Sequence, residues 1–395
     1  MSISTSTDQQ KINELLTRGV DEIIGKEELE KKLKSGAKLR VKLGIDPTSP
    51  NLHLGRSIPL LKLRDFQKLG HKIIFIVGDF TGVIGDTSDK DAERPMLSKK
   101  TVKENNKNYK AQVAKLIDVK KAEVVFNSKW LAKLDYNDVG EHADQFSLAE
   151  FIARENIRRR LDAGTRISLR EVLYPLMQGY DSVAVKADVE VGGTDQRFNM
   201  LAGRELQAHF KQPPQAIVMN PLIEGTDGRK MSASWGNTIN FNDAPNDMFG
   251  KIMSITDNLI VKYFTYLTRV SMTEVKAVEN ALAGGSNPRD YKLKLAYEIV
   301  KLYHGVKAAA KAQKNFIKTF SKKEKPEDMK ELSPKALEIV SVLVEAGFAA
   351  STSQARRAIV EGGVKINDEK VKEVDTQVKS GDIVQKGKRF FVRIK

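Results

Sequence analysis

The feature that most constrains the fold is a near-continuous apolar run, HKIIFIVGDF, at positions 71–80. Strands of a parallel sheet are covered on both faces and therefore read as unbroken apolar segments. A segment with helical spacing of apolar residues precedes this run at 56–69, and the strand-like KLRVKLGI lies before it at 38–45. This strand–helix–strand order predicts a parallel sheet covered by helices.

The same alternation continues to position 220. Helices are predicted over 98–117, 147–163, 168–186 and 195–210, and strands over 122–127, 188–193 and 215–220. We therefore predict an α/β fold with a doubly wound parallel sheet. In such sheets ligands bind beyond the carboxyl ends of the strands, near the point where the strand order reverses. Candidate site residues are expected in the segments that follow the strands.

The character of the chain changes after Pro221. Positions 246–320 predict helices only, and the charged, proline-bearing stretch 321–334 predicts a linker. From Lys335 two short helices and then short strands are expected. The predicted domains are an α/β domain at 1–225, an α-helical domain at 226–325 and a small α+β domain at 335–395.

Composition excludes several classes of protein. The chain has no cysteine, which excludes disulfides, cysteine-ligated zinc and thiol catalysis. It has no run of eighteen apolar residues and no signal-peptide pattern, so we expect no membrane segment and a cytoplasmic location. No cluster with metal-ligand spacing is visible, so no protein-ligated metal is expected.

The net charge of +15 fits either a lysine-rich solvated surface or a polyanionic partner such as nucleic acid. The distribution of charge helps to choose between them. Residues 301–330 hold nine lysines and three acidic residues, so basic charge is concentrated late in the chain.

The first chemical motif is HLGR at 53–56, between the loop after the first predicted strand and the first helix. The N-terminus of a helix binds phosphate through its free N–H groups, and Gly55 allows a ligand to approach the backbone. His53 and Arg56 would add donors to phosphate oxygens. Taken alone, this short motif fits an ordinary surface loop better. The G-x-G-x-x-G fingerprint is missing here, which argues against a dinucleotide cofactor.

The second motif is GRKMSASWGN at 228–237, in a loop after the last strand of the predicted sheet. Lys230 supplies a cation, and Ser232 and Ser234 can hydrogen-bond to phosphate. A solvent-exposed polar loop is the alternative. Two such motifs, each following a strand, together indicate a phosphate-binding site.

A third pattern lies in the helix predicted over 168–186. Tyr174, Gln178 and Asp181 are spaced i, i+4 and i+7, so they share one face of that helix. Apolar residues surround them: Leu173, Leu176, Met177 and Val183. A solvated polar face is the alternative, but a largely buried helix is expected, and its buried polar groups need partners. A bound polar ligand would supply them.

These motifs resemble those of a known family. HLGR and KMSAS resemble the two signatures of class I aminoacyl-tRNA synthetases, usually His-x-Gly-His and Lys-Met-Ser-Lys-Ser. VGDFTGVIGDTS (77–88), YPLMQGYDS (174–182) and VGGTDQRFN (191–199) are similar to segments of the bacterial tyrosyl-tRNA synthetases. The similarity covers the chain from about residue 10 to its end.

The resemblance implies a fold, an activity and partners. The expected fold is a Rossmann-like catalytic domain with a dimerisation insertion around 120–165, then an α-helical anticodon-binding domain. The last domain should resemble an RNA-binding fold shared with a ribosomal small-subunit protein. The expected activity is tyrosine–tRNA ligase, which forms tyrosyl-adenylate from tyrosine and ATP and transfers tyrosine to tRNA(Tyr). The expected assembly is a homodimer, and Mg²⁺ should accompany ATP, held largely by phosphates and water.

The resemblance also implies roles for residues. Those expected to contact or neutralise phosphates are Thr48, His53, Arg56, Lys90, Arg94 and Lys230. Those expected to hold tyrosine are Asp181 at the phenol hydroxyl, Tyr174, Gln178 and Asp86 at the α-ammonium, and Gln196 near the carboxylate. Those expected to frame ATP are Gly44, Asp46, Gly55, Gly193, Asp195, Lys230, Ser232 and Ser234. Those expected to bind RNA are Arg356, Arg357 and Lys365.

The sequence departs from the family pattern at three positions. Arg56 replaces the second histidine, Ala233 replaces the second lysine, and Lys42 stands where a tyrosine often contacts the phenol hydroxyl. Arginine can still contact phosphate. We hypothesise that Arg229 compensates for Ala233. Lys90 and Arg94 lie in the charged loop SDKDAERP, which fits a lid over phosphates or a plain surface loop.

Three other functions remain open from the sequence. A tryptophanyl enzyme is the nearest, although Asp181 with Tyr174 and Gln178 favours a phenol over an indole. A non-catalytic RNA-binding protein on a retired synthetase scaffold draws support from Arg56 and Ala233. A nucleotidyltransferase that uses no tRNA would share the phosphate loop but would not need the basic tail.

Overall fold

The first sheet of the computed structural model, which describes residues 5–86, 96–321, 329–387 and 390–395, has six strands. They are β1 (Glu22–Ile24), β2 (Arg40–Ile45), β3 (Lys72–Val77), β4 (Glu123–Phe126), β5 (Val189–Gly193) and β6 (Ala216–Asn220). Their order is β1-β6-β5-β2-β3-β4, with β1 antiparallel to β6 and the other pairs parallel. The predicted doubly wound sheet is confirmed.

Twelve helices accompany these strands in the described part of the chain. They are α1 (Gln9–Thr17), α2 (Lys26–Lys34), α3 (Leu54–Lys68), α4 (Thr81–Ile84), α5 (Lys99–Asn106), α6 (Tyr109–Val113), α7 (Ser128–Leu131), α8 (Tyr136–Ala143), α9 (Leu148–Ile152), α10 (Glu155–Asp162), α11 (Leu169–Ala184) and α12 (Arg197–His209). The single helices predicted over 98–117 and 147–163 were wrong, because each is two shorter helices. Asparagine is a weak helix former, and Asn106 and Asn108 lie at the first break.

The strand order reverses between β2 and β5. From β2 the chain builds outward through β3 and β4, whereas β5 and β6 extend the sheet on the other side. The segments that follow β2 and β5 therefore diverge and leave a crevice at their carboxyl ends. The expected site position is thus built by the topology of the sheet.

The next region is helical, as predicted. Its helices are α13 (Pro245–Met253), α14 (Ile260–Leu267), α15 (Met272–Ala283), α16 (Pro288–His304) and α17 (Val306–Ser321). Phe249, Phe264 and Leu295 are fully buried and belong to the same apolar core as residues of α1 and α3. The helical region and the first sheet therefore share one continuous core.

A buried ammonium group fixes the first helix to the body of the protein. Lys62, in the middle of α3, donates to the carbonyl oxygens of Leu15 and Arg18 at 2.6 and 2.7 Å. These carbonyls lie at the end of α1, where intrahelical partners are lacking. Burial lowers the pKa of Lys62 to about 7. The side chain thus completes the hydrogen bonding at the C-terminus of α1.

The tail forms a second sheet with its own core. Its elements are β7 (Lys330–Leu332), α18 (Ile339–Glu345), α19 (Thr352–Val360), β8 (Val364–Ile366), β9 (Glu369–Lys370), β10 (Ile383–Lys386) and β11 (Phe390–Ile394). The strand order is β7-β11-β10-β8-β9. Its buried residues, such as Ile339, Leu343 and Val392, form a cluster separate from the larger core.

Strand β7 lies inside the stretch predicted as a linker, so that prediction was wrong for 330–332. The segment pairs in parallel with β11, whose residues come about sixty positions later. A charged three-residue strand carries no signal of its own. Residues 322–328 of the predicted linker lie outside the described residues. The domain limits 1–225, 226–325 and 335–395 stay predictions.

No helix in the described part of the chain combines the length and apolar character needed to cross a bilayer.

Candidate active site

A cleft of about 340 Å³ opens where β2 and β5 diverge. Its size suits a small ligand. Every predicted small-molecule residue that the structure describes lines it: Gly44, Asp46, Thr48, His53, Gly55, Arg56, Asp86, Tyr174, Gln178, Asp181, Gly193, Asp195, Gln196, Lys230, Ser232 and Ser234. Lys90 and Arg94 lie outside the described residues. The structure thus brings the motifs together, although the roles assigned to them stay predictions.

The HLGR motif begins helix α3 at the rim of the cleft. His53 is the N-cap residue, and Arg56 in the first turn is exposed. The Leu54 N–H donates to the Ile239 carbonyl at 2.8 Å, so this N–H group at the start of the helix already has an acceptor. The Gly55 N–H lies 3.3 Å from the Met231 sulfur, a weak acceptor. The two motifs, separated by 176 residues in sequence, therefore touch.

Gly55 is required at this contact. A Cβ atom at this position would lie 3.0 Å from the imidazole ring of His53 and 3.8 Å from the Cβ of Met231. The first distance is tighter than ordinary side-chain packing, so the ring would have to move. The glycine lets the histidine ring lie against the start of the helix, on the cleft side.

The second motif closes over the end of β5. Lys230 Nζ lies 3.2 Å from Asp195 Oδ2, and the hydroxyl oxygens of Ser232 and Ser234 are 2.9 Å apart. The Ser232 N–H donates to the side-chain oxygen of Asn237 at 2.8 Å. The loop therefore holds its cation against a carboxylate. A phosphate ligand would compete with Asp195 for this ammonium group.

Arg229 is turned to other partners. Its guanidinium donates to Asp227 Oδ2 at 2.8 and 2.6 Å and lies 4.7 Å from the centre of the Trp235 ring. Hydrogen bonds from the Asn237 side chain and from Arg229 lower the pKa of Asp227 to about 2. Arg229 would have to leave both partners to reach phosphate, so its compensation for Ala233 stays a hypothesis.

Tyr174 and Asp46 form one unit at the floor of the cleft. The Tyr174 hydroxyl donates to Asp46 Oδ2 at 2.8 Å, and the Thr81 hydroxyl donates to Asp46 Oδ1 at 2.7 Å. Burial raises the pKa of Asp46 to about 6 and that of Tyr174 well above its ordinary value. Asp46 was predicted on the ATP side. The structure joins it to helix α11, at the boundary of the two ends of the cleft.

Asp181 lies deeper in the same cleft. Trp130 Nε1 donates to its Oδ1 at 2.7 Å, and Asn127 Nδ2 approaches its Oδ2 at 3.3 Å. Burial raises the pKa of Asp181 to about 7, and the positive charge of Lys42 opposes that rise. A carboxylate accepts about four hydrogen bonds. Asp181 therefore keeps capacity to accept one from a ligand hydroxyl.

Sequence reasoning missed both partners of Asp181. Asn127 directly follows β4, so the strand-end rule could have found it. Trp130, three residues later on α7, gave no signal, because an aromatic residue there is equally consistent with packing.

Lys42 lies behind the wall of the pocket. Its ammonium group is 3.1 Å from Glu190 Oε1 and donates to the Gln178 carbonyl at 3.2 Å. Lys42 is 1 % exposed and Glu190 is 2 % exposed. Buried charges persist when they are paired and hydrogen-bonded. The lysine thus neutralises a buried glutamate, which explains why a cation can stand where the family often has tyrosine.

The predicted RNA-binding residues lie on the tail. Arg356 and Arg357 are exposed on α19, and Lys365 is half-buried on β8. Between them Gly362 has a φ of +69°, a conformation that favours glycine. The helix, turn and strand expected here are confirmed as structure, whereas contact with RNA stays a prediction.

Within residues 5–86, 96–321, 329–387 and 390–395, no three His, Cys, Asp or Glu side chains are placed to hold a metal ion together.

Comparisons with family models agree with this architecture. Residues 5–321 match the model described as tRNA synthetases class I (W and Y), and residues 339–384 match the S4 domain.

Relatives of known name cover almost the whole chain. The tyrosine–tRNA ligase of Thermotoga maritima is 46% identical over 99% of this chain and 98% of that protein. The tyrosine–tRNA ligase of Haemophilus influenzae is 44% identical over 98% of each chain.

Solved structures are also similar. A tyrosyl-tRNA synthetase of Archaeoglobus fulgidus complexed with L-tyrosine has a TM-score of 0.62 and 25% identity, covering 77% of this chain and 99% of that one. A truncated mitochondrial tyrosyl-tRNA synthetase of Coccidioides posadasii has a TM-score of 0.64 at 24% identity, covering 78% and 92%, and shows the shared fold. Together with the cleft and its two motifs, these similarities mean that the chain belongs to the tyrosyl-tRNA synthetases, within the class I aminoacyl-tRNA synthetases.

Proposed function

We propose that the chain joins tyrosine to tRNA(Tyr) in two steps that both take place in this cleft. Tyrosine and ATP first give tyrosyl-adenylate and pyrophosphate, and the tyrosyl group then moves to the terminal adenosine of the tRNA. One observation carries the proposal. Asp181, a buried acceptor suited to a phenol hydroxyl, lines the same cleft as His53 and Lys230, two donors suited to phosphate.

The first step needs no nucleophile from the protein. A carboxylate oxygen of tyrosine attacks the α-phosphorus of ATP, and the bond to pyrophosphate breaks. The tyrosine carboxylate is already ionised, so the main task is to position the reactants and to stabilise charge on the leaving group. His53, Arg56 and Lys230 are placed for this task, with Thr48 beside them. Mg²⁺ arrives as part of the ATP substrate.

Lys230 changes partner in this scheme. Lys230 pairs with Asp195, which lines the side of β5 where the nucleotide would lie. Once ATP is bound, the ribose can take the carboxylate while the phosphates take the ammonium group. Lys90 and Arg94 are proposed as further phosphate contacts, on the family resemblance alone.

The pocket chemistry favours tyrosine over phenylalanine. Asp181 rejects phenylalanine, because without a hydroxyl the buried carboxylate loses a partner. Asp181 alone does not exclude a tryptophanyl enzyme, because an indole N–H could also donate to it, so this alternative is disfavoured by the relatives. Relatives 44–46% identical to the chain are also named as tyrosine–tRNA ligases.

Two further proposals concern partners and place. Arg356, Arg357 and Lys365 contact tRNA phosphates, a role supported by the exposure of the two arginines and by the position of the half-buried Lys365 on the same basic tail. A cytoplasmic location is supported by the absence of cysteine and by a substrate, tRNA, that is used there.

The protein is also proposed to be a homodimer through the segment around 120–165 and the adjoining start of α11. Large apolar side chains are exposed there, among them Tyr136 at 95 % and Leu169 at 79 %. An identical copy would cover them, as the family resemblance implies. Leu169→Glu should convert a dimer to a monomer in light scattering. An unchanged mass for the variant, or a monomeric wild type, would refute this interface.

The decisive test of the function is exchange of labelled pyrophosphate into ATP with each of the twenty amino acids, without tRNA. We expect exchange with tyrosine alone. Exchange with tryptophan would indicate the neighbouring enzyme. No exchange with any amino acid, from folded protein that still binds RNA, would indicate a retired scaffold.

A further inference from the structure

A chain of hydrogen bonds crosses the floor of the cleft between two carboxylates. At one end, Gln178 Nε2 donates to Glu190 Oε1 at 3.1 Å. At the other end, Gln196 Nε2 donates to Asp86 Oδ2 at 2.8 Å. Asn199, in the first turn of α12, connects the two glutamines. Its Nδ2 donates to the Oε1 atoms of both Gln178 and Gln196, each at 3.1 Å.

The orientation of each side-chain amide in this row of hydrogen bonds is determined by the two carboxylates at its ends, Glu190 and Asp86. An ionised carboxylate can only accept hydrogen bonds, so each glutamine must turn its NH₂ group to its carboxylate and its carbonyl oxygen to Asn199. Glu190 is fixed as an acceptor, because Lys42 lies 3.1 Å from it and Gln215 also donates to it. An amide NH₂ group at position 199 is the donor that satisfies both carbonyl oxygens.

We propose that Asn199 is a positioning residue that sets the amide orientation of Gln178, and through it the affinity for the α-ammonium group of the substrate. This inference rests on the proposed function. Asn199 is 1 % exposed, so it acts through the glutamines rather than by touching the substrate. The Gln178 oxygen accepts one bond from Asn199 and keeps a second lone pair for an ammonium group. A rotated amide would present its NH₂ group instead, and two donors would face each other.

The test uses Asn199→Leu, which has similar size and no charge but lacks the donor. Two ligands distinguish binding of the ammonium group from binding of the phenol: tyramine has both groups, and 4-ethylphenol has the phenol but lacks the ammonium group. Dissociation constants are measured by ligand-observed NMR. We expect tyramine to bind about tenfold more weakly to Asn199→Leu, and 4-ethylphenol to change by less than about twofold.

A double-mutant cycle separates positioning from a general loss of structure. In a Gln178→Ala background, Asn199→Leu should weaken tyramine by less than about threefold, because no Gln178 amide remains to be oriented. The matched control is Asn315→Leu, a buried amide on α17 that is 9 % exposed and outside the lining of the cleft. It should lower the melting temperature without changing the ratio of the two dissociation constants.

Several results would overturn the inference. They are equal weakening of both ligands, no weakening of either, or an undiminished effect in the Gln178→Ala background. Asn199→Ala is measured in parallel and decides the question in the same way where Asn199→Leu does not fold. Pyrophosphate exchange by the wild-type protein distinguishes a failure of this inference from a failure of the proposed function. If wild type shows no tyrosine exchange, the function fails, whereas normal wild type with unaffected Asn199 variants refutes this inference alone.

Discussion

The tyrosine end and the phosphate end of the cleft are built in different ways. At the tyrosine end, Asp181 and Glu190 are almost fully buried and receive hydrogen bonds from several elements of the fold. At the phosphate end, Arg56 is exposed and Lys230 lies in a loop with glycines on both sides. A single hydroxyl must be recognised at the first end, and several negative charges at the second.

This difference explains why the two ends of the cleft can tolerate different departures from the family pattern. Coulombic attraction acts over distance and tolerates a change of cation, so Arg56 and Ala233 are compatible with function at the phosphate end. A buried hydrogen bond depends on fixed geometry. At the tyrosine end the departure at Lys42 is therefore matched by a paired carboxylate, Glu190.

The largest expected effect is at the tyrosine end. Asp181→Asn keeps the size of the side chain and an acceptor for Trp130 but removes the charge. We expect kcat/KM for tyrosine in pyrophosphate exchange to fall on the order of 10³-fold, as for other buried charged partners. The value for phenylalanine should change by less than about tenfold. Equal losses for both amino acids would mean that Asp181 does not read the hydroxyl.

At the phosphate end, Lys230→Ala should slow the exchange on the order of 10²-fold, because one cation at the leaving group is lost. Tyrosine binding, measured by calorimetry without ATP, should be unchanged. Lys262→Ala is a matched control, since Lys262 pairs with Glu224 outside the lining of the cleft. A large loss of tyrosine affinity in Lys230→Ala would show that the two ends are not independent.

The pH dependence of activity should again distinguish the tyrosine end of the cleft from the phosphate end. Because burial raises the pKa of Asp181 to about 7, the acid form predominates below that pH and the charged acceptor is lost. We expect kcat/KM for tyrosine to fall by up to about tenfold per pH unit below 7, since this parameter reports the free enzyme. In Asp181→Asn most of the dependence between pH 6 and 8 should disappear, leaving a fall close to pH 6, because burial raises the pKa of Asp46 to about 6. A flat wild-type profile over that range would contradict the assignment.

The smallest expected effect concerns the loop that carries the KMSAS motif, at 228–237. If Arg229 compensates for Ala233, Arg229→Ala should slow exchange about tenfold, and Ala233→Lys should restore the rate. Trp235→Ala, which removes the ring beneath the guanidinium, should then leave the rate nearly unchanged. A wild-type rate in Arg229→Ala would end the hypothesis. Equal losses in Arg229→Ala and Trp235→Ala would mean that the contact between them holds the loop.

Much of this site could be predicted because its residues belong to local patterns. The HLGR and KMSAS motifs follow strands, and Tyr174, Gln178 and Asp181 share a helical face. Spacing thus predicted a phosphate site and a buried polar face, and the family resemblance predicted that they form one site. What connects them could not be predicted in this way. Trp130 reaches Asp181 across 51 positions, and Tyr174 reaches Asp46 across 128.

The fold shows the same limit. The long apolar strands gave clear sequence patterns. By contrast, β1 and β7 are three residues each, and each forms because it pairs with the edge of a strand distant in sequence, β6 and β11 respectively. Their formation depends on tertiary pairing rather than on local preference.

The two separate cores have a consequence for anyone who would recombine this protein with a relative. The tail packs around its own residues, so a cut near 322–328 leaves both apolar clusters whole. A tail from another species could then be exchanged as a cassette without a cut through either cluster. A cut at 226, by contrast, would divide a single core and expose Phe249 and Phe264. For the part of the chain that the structure describes, the boundary between the two clusters is therefore a natural crossover point, and it lies beyond the helical region rather than before it.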